Sequence, residues 1–369
     1  MFGNTIGNEI EQAFNFESME SDQASSPEYQ ELMKYMNSLP AALRPVYTAE
    51  QPNQPILLYE GDLKIAQEIN QHSVQIQGQG KVEYVWFPSP HIKFEFFNDD
   101  FSFPLDINNR SATLTLSNFE VSVDVFMERR NFGGSNGINL SGRTQKPIVQ
   151  GTDRDLVYVI FHLVNFHNLI GCQKTLLKKD SGGLSSSLNR ISFEVESWKI
   201  TLDRLETAKD TVEQLQAQGG FAITHIGKLE KIDGQTFSGD EAKEFLDIFA
   251  NFLSFARGFR VPLVLLVGYD TRENKIWQYW DSSVGHSWRS VDSWCPTRDA
   301  SKLAEIFPGF MNWWQDWGES AKLALYSYLE ANYTPTIEIQ TSPSRRNRVC
   351  SVVLELKQKL NFISSQFIC

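Results

Sequence analysis

The chain has 369 residues, 41% hydrophobic and 21% charged, with 34 basic against 45 acidic side chains and a net charge of −11. This is the composition of a folded globular protein long enough to bury a sizeable core. The acidic balance disfavours nucleic acid as a partner, because contact with phosphates needs a basic surface. Its cysteines, Cys172, Cys295, Cys350 and Cys369, are far apart and form no CxxC pair, which argues against a zinc site or a disulfide framework and for reduced thiols.

The N-terminus, MFGNTIGNEIEQAF, lacks a basic stretch followed by an apolar one, so no signal peptide is expected. The longest apolar run, Val261–Val267, is interrupted by Pro262 and falls far short of the ~20 residues that span a bilayer. A cytoplasmic protein without a membrane partner is expected. Residues 1–54 read as a flexible N-terminal segment with a short helix at Tyr29–Ser38, the polar run Glu17–Tyr29 being the loosest part.

From Ile56 the pattern alternates with period two. Val74 and Ile76, then Val82, Tyr84 and Trp86, then Ile92, Phe94 and Phe96, then Phe119, Val121, Val123 and Val125 stand between polar residues. Such alternation predicts antiparallel strands with one buried face, separated by turns at Gly78–Gly80, Pro88–Pro90, Asn98–Asp100 and Asn108–Asn109. Asn131–Gly142 and Ser181–Ser187 read as loops. The apolar run Leu156–Ile170 is β-branched enough to favour a buried strand, though its period does not decide between strand and helix. Ile191–Val195 and Trp198–Leu202 alternate on either side of a phase slip that suggests a bulge.

A helix is predicted over Leu205–Gln218, stopped by Gly219–Gly220, and a strand over Phe221–Leu229. Ser238 and Glu241 have capping-box spacing ahead of an amphipathic helix bearing Phe245, Phe249, Phe252 and Ala256, which Gly258 ends. A hairpin, Leu263–Val267 with Lys275–Trp280, comes next, and then two helices, Ala300–Ile306 and Trp313–Asn332, split at Pro308–Gly309. The fold class is α+β: an antiparallel β-rich N-terminal domain (55–235), a mixed helix–hairpin–helix region (236–335) and a remnant C-terminal helix or tail (336–369).

Motifs for chemistry are incomplete. Gly137–Thr144 is one residue from a phosphate-binding loop, but Arg143 stands where lysine is needed and Pro147 disfavours the helix that must follow. His162 and His167 have neither strand nor helix spacing for a shared metal. Asp281, Ser282, Ser283 and His286 supply the letters of a hydrolase without a nucleophile elbow. No cofactor is implied. Seven of the nine tryptophans (Trp277, Trp280, Trp288, Trp294, Trp313, Trp314 and Trp317) fall in one stretch, expected to form a packed aromatic layer.

Several phrases are more specific: Tyr84-Val-Trp-Phe-Pro-Ser-Pro-His-Ile-Lys-Phe94, Ile223-Thr-His-Ile-Gly-Lys-Leu229, Phe252-Leu-Ser-Phe-Ala-Arg-Gly258, Val267-Gly-Tyr-Asp270, Trp277-Gln-Tyr-Trp280, Phe307-Pro-Gly-Phe310 and Tyr326-Ser-Tyr-Leu-Glu-Ala-Asn332. Together they resemble a family of uncharacterised bacterial proteins, many cyanobacterial. Its layout is similar to the N-terminal module of ApeA-type abortive-infection proteins, which carry a helical HEPN-like domain behind it. The resemblance implies a sensing or scaffold half whose effector half is truncated here. The arginine–histidine pair of HEPN ribonucleases has no match, since no histidine follows His286.

The leading expectation is therefore a non-catalytic recognition or sensor module of a defence-type protein, with an unknown protein or phage-derived ligand as partner. A carbohydrate or small-ligand binder using the tryptophans, and an enzyme such as a metal-dependent nuclease, stand as alternatives. The candidate ligand-binding residues are Arg257, Trp280, His286 and His225. Val349, Val352, Val353, Leu356, Leu360 and Ile363 have the spacing of one amphipathic C-terminal helix, a candidate surface for self-association.

Overall fold

Strand alternation on a closed ring of hydrogen bonds builds the first half of the molecule. The computed structural model describes residues 13–14, 27–99, 105–106, 108–132, 137–166, 169–178, 184–291, 293, 295 and 300–333. Its first elements are β1 (Ala13–Phe14) and helix α1 (Pro27–Ser38). Strands β2 (Ile56–Ile69), β3 (His72–Val85), β4 (His91–Asn98), β5 (Ser111–Leu116), β6 (Val121–Phe132) and β7 (Ile138–Thr144) then close an antiparallel barrel in the order β2-β3-β4-β7-β6-β5. Two three-stranded meanders thus meet edge to edge, leaving no unpaired barrel edge. Every second side chain points inward, among them Leu63, Ile65, Val82, Tyr84, Phe94, Phe96, Leu114 and Val125.

Two expectations for this half are corrected. Gly78 and Gly80 make no turn; they lie inside β3, where an added Cβ would sit 2.1 Å from the carbonyl oxygens of Phe97 and Glu95 respectively. The chain reverses instead at Asn70 and Gln71, both at positive φ (51° and 67°), as a two-residue hairpin turn requires. The glycine-rich stretch 131–142 is mostly strand, since β6 runs to Phe132 and β7 starts at Ile138. The near-phosphate loop Gly137–Thr144 therefore lies along β7 and leads into another strand, β8 (Ile148–Gly151), with no helix to receive a phosphate.

The second half is one antiparallel sheet. It contains β8, β9 (Tyr158–Val164), β10 (Gln173–Lys178), β11 (Leu184–Val195), β12 (Trp198–Arg204), β13 (Ile223–Lys231), β14 (Leu263–Tyr269) and β15 (Lys275–Trp280). The order is β1-β11-β12-β13-β9-β14-β15-β8, with β10 also on β11. Its strands come from both sides of residue 235. The ambiguous run Leu156–Ile170 contributes the strand β9. The phase slip near Val195 is a hairpin rather than a bulge: Val195 pairs with Trp198 across Glu196, which adopts φ 52°. Residues Leu184–Ser187, expected in a loop, begin β11.

Each face of this sheet is covered. Val159, Phe161 and Leu163 of β9, Phe193 of β11 and Ile200 and Leu202 of β12 join the core beneath two helices. The first is α3 (Gly239–Arg257), started by the predicted capping box, in which Glu241 N–H donates to the Ser238 hydroxyl, and ended by Gly258 at φ 87°. Phe249 of α3 packs edge-on against Phe161 and Phe193, at 6.2 and 5.0 Å between ring centroids. The second is α4 (Ser301–Tyr333), which contributes Phe307, Phe310, Trp314, Leu325 and Leu329. It is not split at Pro308–Gly309. Pro308 lies within the helix and the backbone breaks at Gly318, whose φ of 47° and ψ of −117° suit glycine. A shorter helix, α2 (Ala208–Gln218), stops at Gly219 as predicted.

The opposite face carries the extended segment 39–54, which is pinned to the sheet rather than loose. The Asp203 carboxylate accepts from Leu43 N–H at 2.8 Å and receives both Nε and a terminal nitrogen of Arg190 at 2.7 Å. His162 Nε2 accepts from Val46 and Tyr47 N–H, both at 3.1 Å.

The tryptophans form no single layer. Trp277 and Trp314 belong to the helix-side core, whereas Trp280 belongs to the barrel core, where it meets Phe119 edge-on. Trp288 and Trp313 are half-buried and Trp317 is exposed. Trp294, His167 and the predicted C-terminal helix lie outside the described residues.

Candidate functional site

Where α3, the C-terminal half of α4 and the ends of β14 and β15 converge, they leave a cleft of about 560 Å³. Apolar side chains line its base, with Pro262, Leu263 and Leu266 from the β14 side and Trp314 and Leu329 from α4. Polar groups line its walls because α3 is amphipathic: burying Phe245, Phe249 and Phe252 turns Lys243, Glu244 and Asp247 outward. Asp281, just beyond β15, faces them, and the Tyr279 hydroxyl donates to it at 3.5 Å.

The charges here are unevenly compensated. Lys243 donates to Asp247 at 2.6 Å, Lys322 to Glu319 at 2.6 Å, and Arg260 contacts Glu330 at 3.4 Å. Each cation on the cleft wall thus has a carboxylate. Among the described residues, Asp281 and Glu244 have no cation within 4.0 Å. Burial pushes the Asp281 carboxyl above its ordinary range, against the more distant attraction of Lys243. Burial likewise raises the Tyr279 hydroxyl, reinforced by the negative charge of Asp281.

His286 contacts the backbone of the cleft residue Arg260. Its Nδ1 accepts from Arg260 N–H at 3.2 Å, so the proton resides on Nε2, which faces Glu330 Oε1 at 3.5 Å. The ring stacks on Tyr333 at 3.9 Å. Burial lowers its pKa, opposed by Glu330.

Of the four residues chosen from sequence, the structure gathers two. Arg257 and His286 both lie near Phe259: the Arg257 guanidinium sits 4.1 Å from that ring's centroid, and the His286 ring 6.4 Å away. Arg257 is 2% exposed, covers Trp288 at 4.7 Å and donates to the Arg289 carbonyl at 3.1 Å. Burial pushes its pKa down to about 9, which leaves it protonated at neutral pH. Trp280 is elsewhere, donating to the Tyr47 hydroxyl at 2.9 Å between sheet and barrel. His225 is also elsewhere, on β13, with Nδ1 3.0 Å from the Thr224 hydroxyl and its ring edge-on to Phe166.

The hydrolase letters do not assemble. Ser282 accepts from Ile92 N–H of the barrel at 3.4 Å, and His286 is engaged by Arg260 and Glu330. Among the described residues no group of three or more His, Cys, Asp or Glu side chains is placed to hold a metal ion. None of the described helices is long and apolar enough to cross a membrane.

Glu330, Arg260, Tyr279 and Asp247 are absent from the candidates drawn from the sequence, and Asp281 enters only as a hydrolase letter. The usable signal was the polar edge of the α3 helix together with an acid placed directly after a buried strand end.

Fold and cleft together define an α+β protein in which a closed barrel abuts a helix-covered antiparallel sheet. Residues 151–291 match the family model of the YopA central domain. That interval holds strands β9 to β15, helices α2 and α3, and the cleft residues Asp247, Arg260 and Asp281. The chain is also similar to the SPbeta prophage-derived uncharacterized protein YopA of Bacillus subtilis (strain 168), at 24% identity over 317 residues covering 83% of this chain and 67% of that protein. No solved structure matches the chain. A YopA-like relation is thus what the comparisons support; the ApeA and HEPN link expected from the sequence phrases gains nothing from them.

Proposed function

We propose that the protein is a non-catalytic recognition module that takes a cationic, amphipathic polypeptide segment into the cleft between α3 and α4. The observation that carries this reading is the pair of uncompensated carboxylates, Asp281 and Glu244, above an apolar base. An arriving lysine or arginine meets a half-buried acid with no cation of its own, while apolar side chains of the same segment cover Leu266, Trp314 and Leu329. The similarity to a prophage-derived protein supports seeking that segment among phage and host proteins.

Calorimetric titration with a synthetic peptide panel tests the reading. Cationic amphipathic peptides are expected to bind at least tenfold more tightly than their charge-reversed counterparts. The Glu244→Lys/Asp281→Lys variant should remove that preference. Equal affinity for both peptide classes, or an unchanged preference in the variant, overturns it.

A further inference from the structure

The sequence itself contains a segment of the chemistry the cleft selects. Between Arg345 and Ile363 stand five cations (Arg345, Arg346, Arg348, Lys357 and Lys359) and one acid, Glu355. The same stretch carries Val349, Val352, Val353, Leu356, Leu360 and Ile363 at helical spacing. A net of +4 (five minus one) stands out in a chain whose total charge is −11.

The chain length lets this segment reach the cleft. Tyr333, the last described residue of α4, stacks on His286, and Glu330, three residues earlier, contacts Arg260 of the cleft wall. From there the 11 residues 334–344 reach up to roughly 36 Å when extended. Lys322, on the cleft wall, lies only 11 residues back along α4, roughly 16 Å at 1.5 Å per residue. The connection is long enough to double back along the helix. The lips it would meet are apolar: Val284 is 70% exposed on one side and Tyr326 39% exposed on the other.

We propose that residues Arg345–Ile363 of the same chain occupy the α3–α4 cleft in cis, their apolar side chains covering Trp314 and Leu329 and their cations meeting Asp281 and Glu244. This rests on the cleft-recognition reading above and names its resident occupant. An external partner then competes with the chain's own segment, so recognition and release of residues 345–363 become one event.

Cys350 lies inside the segment and supplies a native reporter in the full chain. In a Lys322→Cys variant, mild oxidation followed by peptide mapping is expected to give an intramolecular 322–350 disulfide in the monomer. The Glu244→Lys/Asp281→Lys changes should reduce its yield at least fivefold, and Arg345→Glu/Arg346→Glu added to them should restore it. A disulfide formed only between two molecules overturns docking in cis and assigns the segment to a second copy. Alkylation of Cys350 at the same rate as in the urea-unfolded chain, with no 322–350 product, overturns it as well. Added peptide of sequence 343–363 separates the two readings. If it binds the cleft while no cis disulfide forms, recognition stands and self-occupancy fails; if it does not bind either, both fail.

Discussion

His162 and Leu265 are joined by a hydrogen bond of 3.1 Å from the imidazole Nδ1 to the Leu265 carbonyl, and Leu265 has φ 54° inside β14. A branched side chain at positive φ is strained. The pairing of β14 with β9 shifts register there, between Val264 and Val267, which turns the Leu265 carbonyl toward the ring. The other ring nitrogen accepts the N–H groups of Val46 and Tyr47. One fully buried imidazole thereby fixes both an irregular strand and the segment that crosses the sheet.

Both nitrogens are used in the neutral form, and burial pushes the His162 pKa from 6.5 down to about 4. The unfolded chain therefore takes up a proton before the folded one does. The stabilisation is complete above pH 6.5 and is lost as pH falls from 6.5 toward 4, by about 3 kcal/mol at 1.36 kcal/mol per pKa unit. His162→Gln keeps an acceptor and a donor without titrating. Urea unfolding of both proteins across this range should show a stability difference that shrinks as pH falls; a constant difference would contradict the assignment.

Asp203 and Arg190 form a two-bonded ion pair, and Arg190 also donates to the Ala41 carbonyl at 2.8 Å. Asp203→Asn leaves a buried guanidinium without its counter-charge and should cost about 3–5 kcal/mol. Arg190→Met together with Asp203→Leu should recover more than half of that loss in a thermal melt.

Arg257 presents the opposite case, a buried cation with two aromatic neighbours and, among the described residues, no carboxylate within 4.0 Å. Arg257→Met removes the desolvation of the charge at the loss of one hydrogen bond, worth about 1 kcal/mol. The melting temperature is expected to stay level or rise. A fall equivalent to more than about 2 kcal/mol would mean that Phe259 and Trp288 more than offset the desolvation.

Two glycines separate close approach from backbone conformation. Gly80→Ala drives a methyl group into the Glu95 carbonyl and should cost roughly 3 kcal/mol or more, with loss of the β3–β4 pairing. Gly234 has φ 73° and nothing within 4 Å of an added Cβ, so Gly234→Ala should cost only about 1 kcal/mol of local strain. Comparable losses in denaturant melts would refute the steric account of β3.

Much of the architecture was legible in the residues. Period-two alternation from Ile56 onward marks the barrel strands because each side chain faces either core or water. The Ser238–Glu241 box, the phenylalanine stripe of α3 and the stops at Gly219 and Gly258 are local chemistry, set by backbone groups within a few residues. These features survive in any tertiary setting, so the sequence alone determined the α+β class and most element types.

Tertiary structure alone decided the rest. Gly78 and Gly80 look like a turn until a neighbouring strand is seen to pass 2.1 Å from where their side chains would be. The tryptophans look like one layer until Trp280 and Trp277, three residues apart, are found in different cores. The pairing of His286 with Glu330 and the isolation of Asp281 depend on where α4 returns across the sheet. Contacts between residues far apart in the chain are fixed by how whole elements pack, and no local pattern encodes the position of the element on the other side.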